Sequence, residues 1–418
     1  MKCWLVTVGE TMPAIHAGDR KMRTSLLGEE LVRRGHSVIW WNSTVNHRHK
    51  TKYFEEDTDI DWQPNFRIRL LNGPIYHRNI SLRRYVNHLV VAYKFLKRAK
   101  SEARPDFIYC SLPTPELAAA AVRYGRRAGV PVVVDVRDLW PDELHARLSS
   151  KYLRLMGRIL TGPMSLATSY ALKNSKGITA ISPSYLAWAI RRSGGGHGDR
   201  DRIFYLGYPR LRAPTAESDA VKARFQELGL NPSSKIFLFV GTFTQGIDVE
   251  ALVDAARELL RRGRGDIQIA IAGEGERKDW LVENSRQLSN IVFVGWQPRA
   301  GIEELLRMSW VGLGAYRRHS NVSLGNKIFE YASGRLPVLI SLDGDARQLV
   351  EDNDFGAYVS PENGVEWATQ IERYADDLNL RARQSANAAK FFASDCEAEA
   401  IYPRLAAFLE DTSAGTGD

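Results

Sequence analysis

The sequence predicts an α/β protein built as two doubly wound domains. Three observations carry this. Apolar runs of four to seven residues alternate with amphipathic stretches of ten or more, the pattern of parallel strands joined by helices. The chain has 418 residues, too many for one ordinary core. Residues 205–219, YLGYPRLRAPTAESD, place two prolines and small polar residues between two such series.

In order, the first series has strand candidates at 2–8 (KCWLVTV), 37–41 (SVIWW), 66–71 (FRIRLL), 107–110 (FIYC), 130–136 (VPVVVDV) and 177–181 (GITAI). The second has them at 235–241 (KIFLFVG), 267–273 (IQIAIAG), 291–295 (IVFVG), 310–315 (WVGLGA) and 336–340 (LPVLI). Each series reads as an open sheet with helical crossovers. The expected domains are 1–205 and 206–390, facing across a cleft, with a last helix at 391–412 returning to the first. The segment SGGGHGDRD (193–201) reads as a flexible loop and DTSAGTGD as a frayed end.

Composition narrows the class. With 44% apolar and 25% charged residues the chain is a globular protein. Cys3, Cys110 and Cys396 are far apart, with no spacing for zinc or a disulfide framework. A reducing, cytoplasmic setting is expected. The N-terminal apolar run is too short for a signal peptide, and no run approaches the roughly 18 apolar residues of a spanning helix. A net charge of +8 favours anionic partners. With no recognition-helix, RNP or zinc-finger pattern, nucleic acid is not expected among them.

The chemistry centres on SLGNKIFEYASGRLPVLI, residues 323–340. Ser323 reads as a helix N-cap, Gly334 as the stop, and Pro337 as the opening of the next strand. On such a helix Ser323, Lys327 and Glu330 share one face, and Leu324, Ile328 and Tyr331 another. The free N–H groups of the helix start suit a pyrophosphate, with Gly325 allowing close approach, Lys327 adding charge and Glu330 reaching a ribose. The plainer alternative is that Lys327 and Glu330 form a solvated surface pair. Three further glycine turns, GTFTQG (241–246), GEGER (273–277) and GWQPR (295–299), follow strands of the same domain, where open α/β sheets bind ligands.

This arrangement resembles the GT-B glycosyltransferases of family 4, retaining enzymes that hold a sugar nucleotide mainly on the C-terminal domain. The resemblance covers nearly the whole chain. GDRKMRTSLLGEELVRRGHSVIWW (18–41) is similar to the family's first loop and helix, and VVVDVRDLWPDEL (132–144) to the D.RDLWP of bacterial members that build cell-surface glycans. AGEGER, VGWQP and GNKIFEYASGRLPVL recur in the expected order. The resemblance implies that Glu330, the second glutamate of an E-x7-E element, binds the ribose. It implies that Ser323, Leu324, Gly325 and Asn326 touch the donor sugar and phosphates, and that Trp296 and Gln297 cradle the base. Gly273 and Glu274 would pass beside base or ribose, and Gly241 and Thr242 beside the phosphates. The donor is expected to be a UDP-sugar and the acceptor a glycan, lipid-linked or small glycoside hydroxyl.

Three positions depart from the family. Val322 stands where the first glutamate is expected, so its task falls to Asn321, Ser323 or backbone, or is absent. Thr242 and Gln245 replace the familiar Arg and Lys of the first turn, so charge neutralisation falls to Lys327, the helix start, or Arg20 and Arg23 beside Asp19. Retention by front-face attack needs no protein nucleophile, since the leaving phosphate can take the acceptor proton. In the first domain Asp138 and Arg137 are expected to face the sugars, Asp138 orienting the acceptor hydroxyl or else serving as a cap or internal ion-pair partner. His16 and His47 lie in loops able to touch a sugar. No DxD or other metal signature appears where a diphosphate would sit, so neither metal nor cofactor is expected. A sugar-nucleotide epimerase and a non-catalytic binding partner of another transferase are the rival readings, whereas no G-x-G-x-x-G after a first strand supports a dehydrogenase.

Residues 81–100, SLRRYVNHLVVAYKFLKRAK, form a basic amphipathic helix with Leu82, Tyr85, Leu89, Tyr93 and Leu96 in one stripe. The stripe is expected to pack on its own sheet, with peripheral contact to anionic membrane as the alternative.

Overall fold

The computed structural model describes residues 1–16, 21–146, 150–320 and 322–414. They divide into two compact units, one of Met1–Tyr205 plus the segment from Ile401 on, the other of Leu206–Ala400.

The first unit holds β1 (Lys2–Val6), β2 (Ser37–Ser43), β3 (Val45–Asn46), β4 (Thr51–Lys52), β5 (Thr58–Gln63), β6 (Phe66–Leu71), β7 (Phe107–Leu112), β8 (Val132–Val136), β9 (Gly177–Ala180) and β10 (Asp201–Ile203). Eight of these form one sheet in the order β10-β9-β8-β7-β1-β2-β6-β5, while β3 and β4 pair as a small hairpin. All neighbours in the sheet are parallel except β5, which runs antiparallel to β6 at the edge. The six expected strands are all present. The four additional ones are short or, like TDIDWQ of β5, mix charged and apolar residues as an exposed edge does. Trp4, Trp40, Trp41, Phe66, Phe95 and Phe107 fill the core around the sheet.

The second unit holds β11 (Lys235–Val240), β12 (Ile267–Ala272), β13 (Ile291–Gly295), β14 (Val311–Gly314), β15 (Val338–Ile340) and β16 (Gly356–Tyr358). They form a wholly parallel sheet in the order β13-β12-β11-β14-β15-β16. The chain leaves β11 towards β12 and β13, then returns to the other side of β11 through β14. The switch point of this sheet therefore lies between β11 and β14, the place where open α/β folds bind ligands at the strands' carboxyl ends.

Packing of one short helix, Asn326–Ser333, positions what lies at that point. Ile328, Phe329, Tyr331 and Ala332 bury its inner face. The Tyr331 hydroxyl donates to the Leu313 carbonyl at 3.0 Å and accepts from the Val240 N–H at 2.9 Å. One side chain thus ties the helix to both strands flanking the switch. Gly312 makes room for it, since a Cβ there would sit 2.2 Å from the Tyr331 ring.

Candidate active site

The helix start differs from expectation. The helix begins at Asn326 with Gly325 as its N-cap, so Ser323 is not on it and does not share a face with Lys327 and Glu330. The Ser323 hydroxyl donates instead to Asp345 at 2.6 Å, which draws the preceding loop away from the helical path. Gly325 has a steric reason of its own, because a Cβ would fall 1.9 Å from the Tyr316 hydroxyl oxygen. The helix ends at Gly334, as its sequence predicts.

Lys327 occupies the switch point. Its ammonium lies 5.0 Å from the Phe239 ring centre on β11 and 5.1 Å from that of Tyr316, just after β14. A Cβ on Gly241 would come within 2.5 Å of the same nitrogen. The side chain is half-buried, yet the ammonium makes no hydrogen bond or ion pair with any described residue. Burial pushes its pKa down to about 8, with Glu330 acting in the opposite direction. Aromatic faces offset part of the cost of enclosing a cation, but an anion would offset far more. Glu330, one turn on, accepts a hydrogen bond from the Tyr208 hydroxyl.

The glycine turns meet around this point. Gly241 and exposed Thr242 follow β11, Gly273 and Glu274 follow β12, and Trp296 and Gln297 follow β13. Gly273 has φ +146°, and a Cβ there would strike the Gly241 carbonyl oxygen at 1.9 Å. The first two loops are also joined by a hydrogen bond from the Phe243 N–H to the Glu274 carbonyl at 2.9 Å. Adjacent loops packed this closely form a continuous backbone rim. The Glu274 carboxylate pairs with Lys278 at 2.9 Å, Gln297 folds back onto the Val294 carbonyl, and the Trp296 indole is exposed. Leu324 is buried and Asn326 exposed at the helix start.

Because its free pKa lies near 8, Lys327 predicts a pH signature. Calorimetric affinity for a nucleoside diphosphate should fall as pH rises through about 8, where the ammonium of the unliganded protein is lost. Affinity that is level from pH 7 to 9.5 would remove Lys327 from the phosphate site.

In the first unit two expectations are corrected. Arg23 does not face phosphate: it is buried, and its N–H groups are taken by Asp135 at 2.9 and 3.1 Å, the Phe204 and Tyr205 carbonyls at 2.9 and 3.0 Å, and the Tyr109 hydroxyl at 3.3 Å. Arg137 does not face a sugar either. Its guanidinium turns inward to Asp135 at 2.5 Å, to Glu10, and to the Thr24 hydroxyl at 3.3 Å. Glu10 meanwhile caps the Arg23–Arg33 helix through the Thr24 N–H at 3.1 Å and hydroxyl at 2.6 Å. Burial alone would raise the Asp135 carboxyl, but Arg23 and Arg137 overcome it and hold it at about 2. This network is structural.

Asp138, next along the loop after β8, is half-buried and acts on Arg84 electrostatically. Arg84 stacks on the Trp140 ring at 4.3 Å, and its Nε donates to His88 at 3.3 Å. His88 in turn meets Glu116 at 3.3 Å. His47 shares a hydrogen bond of 2.8 Å with the Tyr76 hydroxyl, and burial with the nearby cations pushes its pKa down to about 4, so it is neutral at pH 7. These groups lie in loops and helix starts beyond the carboxyl ends of the parallel strands. His16 is exposed near Tyr53. Asp19, Arg20 and Asn321 lie outside the described residues.

Sequence reasoning missed Phe239, Tyr316 and Tyr208, which no motif marks, and Asp135. The last could have been found: a carboxylate inside the apolar strand VVVDV must be paired.

Comparison with known proteins places both units among glycosyltransferases. Residues 234–377 match a family model described as glycosyl transferases group 1, and residues 21–209 match a glycosyl transferase 4-like domain. The alpha-D-kanosaminyltransferase of Streptomyces kanamyceticus is 27% identical over 301 residues, 70% of this chain and 74% of that protein. An uncharacterised glycosyltransferase of Methanocaldococcus jannaschii is 26% identical over 198 residues, 46% of this chain and 49% of that protein. Among solved structures, Anabaena HepE in complex with UDP superposes with a TM-score of 0.67 at 17% identity, covering 98% of this chain and 99% of that one.

Proposed function

Because this chain is a glycosyltransferase of the GT-B fold, we propose that it is a retaining enzyme that moves a sugar from a UDP-sugar to a hydroxyl of a glycan or lipid-linked acceptor. The observation that carries this reading is the enclosed Lys327 ammonium at the switch point, one helical turn from Glu330. Together they offer a cation for a diphosphate and a carboxylate for the ribose that extends from it.

In the proposed step the acceptor oxygen bonds to the anomeric carbon as the bond from that carbon to the diphosphate oxygen breaks. The acceptor proton passes to the leaving diphosphate, and both groups occupy the same face of the sugar. Charge growing on the diphosphate is met by Lys327 and by the free N–H groups at the helix start. Asp138 orients the acceptor hydroxyl, and the enzyme's contribution is positioning and electrostatics rather than a covalent intermediate. Solved neighbours that hold UDP and UDP-glucose support a uridine donor.

Calorimetry with UDP, GDP, TDP and ADP tests the donor site. UDP is expected to bind most tightly, and Glu330→Ala to weaken it by about 1–3 kcal/mol, the loss of a hydrogen bond to a charged group. A variant that binds UDP as the parent does would detach Glu330 from the ribose.

A further inference from the structure

The Lys151–Leu160 helix of the first unit buries none of its residues. Tyr152 is 70% exposed, Ile159 64% and Leu160 76%, and Leu153, Leu155 and Met156 are exposed as well. Tyr152, Leu155, Met156 and Ile159 fall at i, i+3, i+4 and i+7, one stripe of the helix. Lys151, Arg154 and Arg158 fall at i, i+3 and i+7 on a neighbouring one. A large apolar stripe left in water marks an interaction surface.

Charge decides its occupant. Residues 144–198 contain eight Lys and Arg and no Asp or Glu, a local excess as large as the net charge of the whole chain, +8. The Leu82–Ala99 helix repeats the theme. Its predicted stripe does not pack on the sheet: Leu82 is 77% exposed and Tyr93 67%, while His88, Val91, Ala92, Phe95 and Ala99 form the buried face. No Asp or Glu occurs from residue 62 to 101 either. Both helices join the loop that follows β8. Arg84 stacks on Trp140, the Thr168 hydroxyl donates to the Trp140 carbonyl at 3.3 Å, and His145 meets Thr161, directly after the 151–160 helix, at 2.6 Å.

We propose that the 151–160 helix is an interfacial anchor that lays its apolar stripe into an anionic lipid surface, with Lys151, Arg154 and Arg158 reaching the head groups. No described helix is long and apolar enough to cross a membrane, so this attachment is peripheral. The anchor sets the Asp138 loop at the lipid surface, where the hydroxyl of a lipid-linked acceptor would be presented. In that respect the inference rests on the proposed transferase reading and narrows its acceptor.

Co-sedimentation of the full chain with phosphatidylcholine vesicles, with and without phosphatidylglycerol, tests it. Binding should be stronger by about tenfold or more on the anionic vesicles and fall with added salt. Ile159→Glu with Leu160→Glu, both on exposed positions, should lower it by about tenfold or more, and Lys151→Glu with Arg158→Glu should do the same. UDP calorimetry on the same variants should match the parent, which separates loss of the anchor from failure of the donor reading. Equal binding to both vesicles, no binding to either, or sedimentation showing a dimer that the same substitutions dissociate would overturn the proposal.

Discussion

Lys327→Met is expected to lower kcat/KM for glycosyl transfer by about 10²–10³, the size of effect seen when one preorganised donor to a developing anion is removed. Methionine keeps the length of the stem and its contacts with Phe239 and Tyr316 but removes the cation. The same change should leave the unliganded protein as stable or more stable near pH 7. An ammonium held at about 8 when folded and near 10.5 when unfolded costs folding free energy below pH 8, and that cost fades as pH rises towards 10.5. Activity lost while stability is kept identifies a functional charge. Lys327→Arg is not expected to rescue turnover, because the approach of Gly241 leaves no room for a larger planar head. Kinetics with a UDP-sugar and urea titration of the same samples decide the matter, and turnover within twofold of the parent would move the diphosphate elsewhere.

How far such a site can be read from sequence depends on which interactions are local. The parallel strands were legible because burial on both faces demands unbroken apolar runs such as KIFLFV and IQIAIA. Strands β5, β10 and β16 were not, since an edge or a three-residue pairing imposes little on composition. Lys327 and Glu330 were legible because helix periodicity ties them together within one turn. The rings that enclose Lys327 were not: Phe239 and Tyr316 reach it only through the order β11-β14 of the sheet. Arg23 and Arg137 illustrate the opposite error. An arginine at a helix start and one in a loop read from sequence as ligand contacts, whereas Asp135, buried between them, claims both.

That claim predicts the largest stability effect in the first unit. Asp135→Ala should destabilise it by about 3–5 kcal/mol, the cost of leaving buried charges without their partner. The carboxylate also accepts from the Thr179 hydroxyl at 2.6 Å, so strands β8 and β9 lose a side-chain link as well. Asp135→Asn keeps the shape and part of the hydrogen bonding but not the charge, and should fall between alanine and the parent. The pH dependence has a definite sign. A carboxyl that titrates near 2 when folded and near 4 when unfolded contributes roughly 2–3 kcal/mol that is fully present above pH 4 and lost as pH falls through 2. Urea denaturation followed by circular dichroism, from pH 7 down to 3, should show the first part of that loss in the parent and a shallower slope in Asp135→Asn. On the proposed role of Asp138, the network would bear on function through the loop it holds: Arg137 is fixed by Asp135 and Glu10, and Asp138 follows it directly. Asp135→Asn at a temperature where it stays folded should therefore raise KM for the acceptor more than for UDP-sugar. Equal stability of the three proteins at pH 7 would show that Arg23 and Arg137 find other partners and that the network positions nothing.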